Sequence, residues 1–198
     1  MSQWSERGSS PAGKIRYLTQ GAMIAALYVL LTWISAQFGL ASGAIQVRLS
    51  EALAILPVFY APAVPGLILG CFLANVVTGG LPLDWVFGTL ATGAGAVLCR
   101  LFFRKGKAIW LASIPNIVCN TLVIPWVLLL VYKVDDMSVG ILHLTVGAGE
   151  VISCGILGTA LLWIILKRRK RVQEIREKQD SMEKQDTTEE QDTNEKRP

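Results

Sequence analysis

The sequence predicts an all-α polytopic integral membrane protein, a bundle of six transmembrane helices with both termini in the cytoplasm. Composition is the first observation behind this prediction: 52% of the 198 residues are apolar and 17% are charged, whereas soluble domains carry about a quarter charged residues. Patterning is the second, because long uncharged stretches alternate with short charged ones. So apolar a chain is not disordered, and four scattered cysteines do not make a disulfide-rich scaffold.

The six predicted spans are uncharged or nearly uncharged runs, judged against the roughly 20 apolar residues that a membrane helix needs. They cover residues 17–38, 52–64, 66–78, 85–98, 109–132 and 139–166. The second and third runs are short and are interrupted by Pro62 and Pro65. This stretch therefore has two interpretations, one kinked helix or a short pair of helices with a tight connection.

The distribution of basic residues predicts the orientation, because short cytoplasmic loops collect Lys and Arg. With six spans, one side of the membrane receives the basic residues of the N-terminus, of the loop around 100–107 and of the cluster 167–171, while the other receives only Arg48 and Lys133. With five spans, the loop at 104–107 and the C-terminal cluster would lie on opposite sides. Six spans with both ends inside is therefore the favoured topology.

Three segments follow from this topology: a cytoplasmic N-terminal segment 1–16, a membrane domain 17–166, and a basic cluster with a charged tail over 167–198. Up to Arg171 there are 14 Lys and Arg against 6 Asp and Glu, and beyond it 5 against 9. The tail has too few apolar residues to form a core, so we expect it to be disordered or partly helical. The run 17–38 is too long for a signal peptide and has no small-x-small cleavage site, which predicts a retained helix.

Several kinds of chemistry have no motif in the sequence. There is no GxxxxGK[ST] phosphate loop, no GxGxxG, no HExxH and no Cys/His cluster with metal-ligand spacing. The single histidine, His143, has no serine in a recognisable nucleophile pattern. We therefore expect no catalytic residue, no cofactor, no metal, no nucleic acid partner and no ATP hydrolysis by this chain itself.

Polar side chains inside the spans are the strongest indication of a site, because a charge at mid-bilayer costs about 2.5–3.5 kcal/mol. Glu150 lies 11 residues into the last span, which places it about 16 Å deep. Asn116 and Asn120 reach a similar depth and share a helix face through their i,i+4 spacing. No other charge in the spans is an obvious partner for Glu150, so a functional role is favoured over a structural one.

Further polar and aromatic residues lie toward the outer ends of the spans or in the first outer loop, namely Arg48, Glu51, Asn75, Asp84, Trp85, Trp126 and His143. Some of the polar and aromatic residues also have a structural explanation. Trp85 is suited to the aromatic belt of a membrane interface. Arg48 and Glu51 are three residues apart and can pair with each other on a helical turn. Asn120 can be a polar contact between helices.

Small residues form two candidate contact faces. Ala22 and Ala26, next to Gly21 and Ala25, make a small-xxx-small pair near the start of the first span, and a run from Gly66 has the same spacing in the third. Such faces allow another helix to approach closely. The approaching helix belongs either to a partner protein or to the same bundle.

These features together resemble the substrate-binding S components of energy-coupling factor (ECF) transporters, and among them the queuosine-precursor transporter (QueT) family. The resemblance spans about residues 14–166. It is carried by the string GAIQVRLSEAL at 43–53, the Leu56-Pro57 and Pro65-Gly66-Leu67 steps, Asn75, the stretch DWVFGTLAT at 84–92, and Gly147-Ala-Gly-Glu150. The charged tail is not part of it.

The resemblance implies a location in the prokaryotic cell membrane and a set of partners. Ala22 and Ala26 correspond to the face that S components press against a transmembrane coupling subunit, and two ATPase subunits then supply the hydrolysis that this chain lacks. The segment 39–47 would close over the ligand.

The implied ligand is a 7-deazaguanine precursor of queuosine, held by residues among Glu51, Asp84, Trp85, Asn116, Asn120, Trp126, His143 and Glu150. Glu150 with Asn116 or Asn120 suits the edge of a guanine-like ring, and Trp85 or Trp126 suits its face. Asp84 or Glu51 suits an aminomethyl cation. Two alternatives stay open: an S component for another vitamin or nucleobase, and a membrane scaffold subunit that transports nothing.

Overall fold

The computed structural model describes residues 10–40, 47–106, 108–133 and 138–195, with side chains as far as Met182. Every regular element in these ranges is helical and none is a strand, so the predicted all-α class is confirmed. The α-helices are α1 (Pro11–Gln37), α2 (Ala63–Val77), α3 (Pro82–Phe103), α4 (Ile114–Leu130), α5 (Val139–Glu150) and α6 (Gly158–Glu195). Two 3₁₀ helices, Leu49–Val58 and Ile109–Leu111, precede α2 and α4, and a π-helical turn, Val151–Leu157, joins α5 to α6.

Within the described residues, four helical stretches are long and apolar enough to cross a bilayer: Pro11–Gln37, Pro82–Phe103, Ile109–Leu130 and Val139–Met182. The 3₁₀ helix Leu49–Val58 and α2 are shorter apolar helices, each about 20 Å long at the usual rise per residue. Residues 52–78 are therefore a short pair of helices and not one kinked helix. The count of six spans and the cytoplasmic position of both ends stay predictions.

Local chemistry determines where the helices begin and end. α1 starts at Pro11, and the N–H of Gly13 donates to Oγ of Ser10 at 3.2 Å, which is the usual combination of an N-cap serine and a proline in the first turn. α2 ends before Gly79, whose φ of +77° is a left-handed conformation that glycine adopts without strain.

α1 and α2 approach each other through their small residues. A Cβ added to Gly66 would lie 2.7 Å from the carbonyl oxygen of Gly21, and one added to Gly70 would lie 3.0 Å from Cα of Ala25. The run from Gly66 to Gly70 is thus explained by packing inside the bundle. Ala22 and Ala26 lie on a different face of α1 and are exposed.

We expect Gly66→Ala to lower the stability of the bundle, because the new methyl group overlaps the backbone of α1 and the two helices must separate. Overpacking of this kind costs about 1–3 kcal/mol. The measurement is thermal unfolding of the purified protein in detergent, with Gly140→Ala as the matched control, since nothing lies within 4 Å of a Cβ at Gly140. Equal melting temperatures for the two variants would contradict the close packing of α1 on α2.

The 3₁₀ helix Leu49–Val58 places Glu51 inside the protein. Three residues per turn align Glu51, Ala54 and Pro57 on one face, and all three are buried. Arg48 precedes the helix and donates to Oδ1 of Asn75 at 3.3 Å. The spacing of Arg48 and Glu51 in the sequence suggested that they pair with each other. The hydrogen bonds observed for these two side chains go to other residues instead.

Three side-chain hydrogen bonds connect α1 to this 3₁₀ helix. The hydroxyl of Tyr28 donates to Oε1 of Glu51, and Oγ1 of Thr32 donates to Oγ of Ser50 at 2.7 Å. Oγ of Ser35 accepts from the backbone N–H of Leu49 at 3.0 Å. α1 thus presents one face to the 3₁₀ helix and a different face, with Ala22 and Ala26, outward.

Residues 162–198 form a second compact unit. Its backbone is helical to Glu195, and the side chains described between 171 and 182 are all exposed. The ammonium of Lys167 lies 4.8 Å from the ring centre of Trp163. The domain boundaries drawn from the sequence stay predictions, and residues 41–46 of the proposed ligand-covering segment lie outside the described residues, as do Arg7 and Lys107.

Candidate functional site

Six buried side chains from five elements meet in what we call the central polar cluster, formed by Tyr28 of α1, Glu51 of the first 3₁₀ helix, Asn116 and Asn120 of α4, Glu150 of α5 and Cys154 of the π-helical turn. None is more than 9% exposed. Burial of this many polar groups in an apolar bundle is costly unless they bind each other or a ligand.

Two carboxyl groups lie side by side in this cluster. A carboxylate oxygen of Glu51, one of Glu150 and Sγ of Cys154 all lie within 4.8 Å of one another. Glu51 is 2% exposed and Glu150 is 9% exposed. The sequence offered no charged partner for Glu150, and the neighbour found here is a second carboxyl group. The pair thus concentrates acceptor oxygens at one place.

Glu51 is held firmly by its neighbours. Tyr28 donates to Oε1, and the side-chain amide of Asn116 donates to Oε2 at 2.8 Å. The same amide nitrogen lies 3.2 Å from Sγ of Cys154, and that thiol donates to the backbone carbonyl of Glu51 at 3.1 Å. Both carboxylate oxygens of Glu51 therefore already have a protein donor.

Asn116 is also committed to the protein. Its amide nitrogen serves Glu51 and Cys154, and its carbonyl side packs against α3, where a Cβ on Gly95 would lie 2.5 Å from Oδ1. A glycine at position 95 is what allows α3 and α4 to come this close. The amide nitrogen of Asn116 is thus suited to position Glu51, while Oδ1 of Asn116, like Oδ1 of Asn120, has no hydrogen-bond partner.

The side of the cluster formed by Glu150 has unused capacity. The side chain of Asn120 lies near the Glu150 carboxyl. Among the described residues, six buried side-chain oxygens have no hydrogen-bond partner: Oγ1 of Thr89 on α3, Oδ1 of Asn116, Oδ1 of Asn120 and Oγ1 of Thr121 on α4, Oε2 of Glu150 on α5, and Oγ of Ser153 in the π-helical turn. Because buried polar atoms are almost always paired, the unpaired oxygens of Asn120, Glu150 and Ser153 make this side of the cluster the candidate place for a ligand.

The π-helical turn Val151–Leu157 follows Glu150 directly and carries Ser153 and Cys154, both buried. A π-helical turn changes which residues of a helix face inward, and such turns are frequent at functional sites. The last long helix thereby presents Glu150, Ser153 and Cys154 to the interior. Sequence periodicity gave no indication of this turn.

A second polar group, which we call the Asp84 network, consists of Arg48, Asn75, Asp84 and Tyr132. Nδ2 of Asn75 donates to the backbone carbonyl of Asp84 at 3.4 Å, and the hydroxyl of Tyr132 donates to Oδ2 of Asp84 at 3.2 Å. Trp85 is next to it and donates its indole N–H to the carbonyl of Gly80 at 2.7 Å. The network connects the segment before the 3₁₀ helix to α2, to the start of α3 and to the residue Tyr132 after α4.

Trp126 and His143 lie together, with their ring centres 6.1 Å apart in an edge-to-face arrangement. Trp126 is 49% exposed, and Nδ1 of His143 lies 2.8 Å from the backbone carbonyl oxygen of Val139. His143 lines an open groove of about 680 Å³ between α4 and α5, whose other lining residues are almost all apolar. Exposed leucines such as Leu122 and Leu144 border it, so it is an open apolar surface groove and not the candidate site.

Of the eight candidate ligand-binding residues, the structure thus brings Glu51, Asn116, Asn120 and Glu150 together. Asp84 and Trp85 lie in or beside the Asp84 network, and Trp126 and His143 lie at the exposed groove. Sequence reasoning missed Tyr28 and Cys154, because a tyrosine or a cysteine in an apolar run is ordinarily a packing residue.

We expect Tyr28→Phe to destabilise the protein by about 1–3 kcal/mol, because it deprives a buried carboxylate oxygen of its donor. In a double-mutant cycle with Glu51→Gln, the effect of Tyr28→Phe should shrink, since the two side chains act as one pair. Thr32→Val is the matched control: it removes the neighbouring bond from α1 to Ser50, and its effect should add to that of Glu51→Gln. Additive effects for Tyr28→Phe, measured by thermal unfolding, would refute the pairing.

A family model described as QueT transporter matches residues 18–167, which include every residue of the central polar cluster and leave out the charged tail. Comparison with curated proteins and with solved structures gave no match.

Proposed function

The chain belongs to the QueT transporter family, whose members are transporters and not enzymes, and on this premise we propose that it is the substrate-binding subunit of an ECF importer for a queuosine precursor. In this proposal the protein crosses the prokaryotic plasma membrane six times with both ends inside. It binds the precursor from the outer face and releases it inward while docked on a transmembrane coupling subunit. Two separate ATPase subunits supply the energy.

The observation that carries the proposal is the set of unpaired, buried acceptor oxygens around Glu150 and Asn120. A guanine-like ring presents adjacent N–H donors on one edge, and a carboxylate accepts two such bonds at once. Hydrogen bonds to a charged acceptor contribute about 1.5–3 kcal/mol each. Ligand binding would therefore satisfy atoms that the protein alone leaves without a partner.

The neighbouring residues divide the remaining roles. Glu51, fixed by Tyr28 and Asn116, forms the wall opposite Glu150, and Ser153 offers a hydroxyl group that donates or accepts. A ring carbonyl of the precursor accepts from this hydroxyl group or from the amide of Asn120. We assign Asn116 to the support of Glu51 and not to contact with the ligand.

Entry of the ligand requires an opening step, because the cluster side chains are between 0 and 9% exposed. The Asp84 network is suited to hold the closed state, since Arg48 is the residue at which the chain enters the 3₁₀ helix and its contact with Asn75 fixes this point against α2. Asp84 and Trp85 then act at the entrance instead of contacting the ring. Trp126 and His143 have no part in binding in this proposal.

The exposed side of α1 is the proposed docking surface for the coupling subunit. Ala22 and Ala26 are exposed there, one helical turn apart, while Gly21 and Ala25 are used internally against α2. Small residues on an exposed helix face permit the close approach of a partner helix in a membrane. α1 also carries Tyr28, so the helix that docks is the helix that holds Glu51.

Binding of purified protein to a series of heterocycles tests the ligand class. We expect 7-deazaguanines to bind and raise the melting temperature, with guanine weaker, and riboflavin and biotin without effect. A preference for riboflavin or biotin would identify an S component for another vitamin. Failure of every heterocycle to bind would favour a scaffold subunit and contradict the proposal.

A further inference from the structure

We infer that the adjacent carboxyl groups of Glu51 and Glu150 form a subsite for one monovalent cation, held by carboxylate and amide oxygens. The subsite is separate from the recognition of a ring edge, although both share Glu150. The inference rests on the geometry of the central polar cluster and can be tested without any heterocycle. It rests on the proposed function only where the cation is an amine of the imported molecule.

The charges of the buried polar groups are unbalanced. Three carboxyl groups, those of Glu51, Asp84 and Glu150, are at most 9% exposed. Arg48 is the cationic side chain of the Asp84 network, and its hydrogen bond goes to Asn75 and not to a carboxylate. Buried carboxylates that lack a compensating positive charge are costly in an apolar environment, so an additional cation stabilises this arrangement.

The available ligand atoms determine which cation fits. Glu150 is more than nine-tenths buried and its Oε2 has no partner, and the same holds for Oδ1 of Asn120. Carboxylate and amide oxygens are ligands for hard cations and acceptors for an ammonium group. Cys154 donates its thiol proton to the carbonyl of Glu51, so it is not the thiolate that a soft metal requires.

A single charge is favoured over a divalent ion. Ca²⁺ takes six to eight oxygen ligands, whereas both oxygens of Glu51 already accept from Tyr28 and Asn116. A monovalent cation for this subsite has two sources with the same chemistry: an alkali metal ion such as Na⁺, or a protonated amine on the imported molecule. Both place one cation between Glu51 and Glu150.

The test is thermal unfolding of the full chain in detergent, without heterocycle, in chloride salts at constant ionic strength. The probes are sodium, methylammonium and choline, the last being too bulky for the subsite. Mass action predicts a melting temperature about 2–4 °C higher in the salt of the preferred cation than in choline chloride. Selective stabilisation by sodium identifies a metal ion, and by methylammonium an amine.

Three variants make the assignment specific. Glu51→Gln and Glu150→Gln should each lose the difference between the small cation and choline, whereas Glu174→Gln, which removes an exposed carboxylate of the tail, should keep it. Equal melting temperatures of the wild type in all three salts would overturn the inference. This outcome is measured on the wild type alone and does not depend on whether a variant folds. Retention of the cation effect in both glutamine variants would overturn it too. Binding of 7-deazaguanines without any cation effect would leave the proposed function intact.

Discussion

Glu150→Gln is expected to weaken ligand binding by about 1–3 kcal/mol, or roughly 5- to 150-fold in the dissociation constant. Glutamine has nearly the same shape as glutamate, but it replaces one acceptor oxygen with an NH₂ donor and removes the charge. N–H donors of the ligand would then meet a donor at the position where Oε2 of Glu150 now lies unpaired. Isothermal titration of the purified variant measures the change.

The matched control for this variant is Thr89→Val. Oγ1 of Thr89 is another buried oxygen without a partner, but Thr89 lies on α3 and outside the central polar cluster. Its loss should leave affinity unchanged. Unchanged affinity in Glu150→Gln as well would show that Glu150 is structural, whereas equal losses in both variants would indicate a general effect on the bundle.

Ala22→Trp and Ala26→Trp are expected to abolish uptake while leaving ligand binding by the isolated chain nearly intact. Each introduces a bulky ring on the exposed face of α1, and close packing with a partner helix depends on small residues there. Because Gly21 and Ala25, not these alanines, pack against α2, the bundle itself has room for the ring. Uptake by cells and binding by purified protein are the two measurements.

Ala94→Trp separates docking from a general effect of an exposed tryptophan. Ala94 is an exposed alanine on α3, so the change in size and polarity is the same. Uptake should persist in this variant. Loss of binding in Ala22→Trp would refute the docking role of α1, since the substitution would then disturb the ligand site.

The sequence predicted the site residues whose burial in a membrane is energetically costly and whose positions can be recognised from local sequence alone. Glu150 is conspicuous because a carboxylate interrupts a long apolar run, and Asn116 and Asn120 share a face by simple helical spacing. The helical class and the short helix pair around Pro62 follow from the same pattern. For these features, local composition and geometry are sufficient.

The remaining contacts depend on local geometry that the sequence does not indicate. Glu51 points inward because residues 49–58 adopt a 3₁₀ helix instead of an α-helix. Cys154 reaches the cluster through a π-helical turn. Tyr28 contacts Glu51 because α1 and α2 pack closely through glycines, and this packing fixes the neighbouring 3₁₀ helix. None of these features produces a periodic pattern in the sequence, so the contacts of Glu51, Cys154 and Tyr28 can be recognised only in the folded structure.

The central claim is that the buried acceptors around Glu150 receive a small nitrogen heterocycle, and mass spectrometry of what copurifies with the protein tests it most directly. The account predicts that wild-type protein, isolated in mild detergent from cells supplied with 7-deazaguanines, releases one such compound on denaturation. It also predicts that Glu150→Gln retains far less of it. Wild-type protein that carries no heterocycle, or equal amounts from both proteins, would contradict the account.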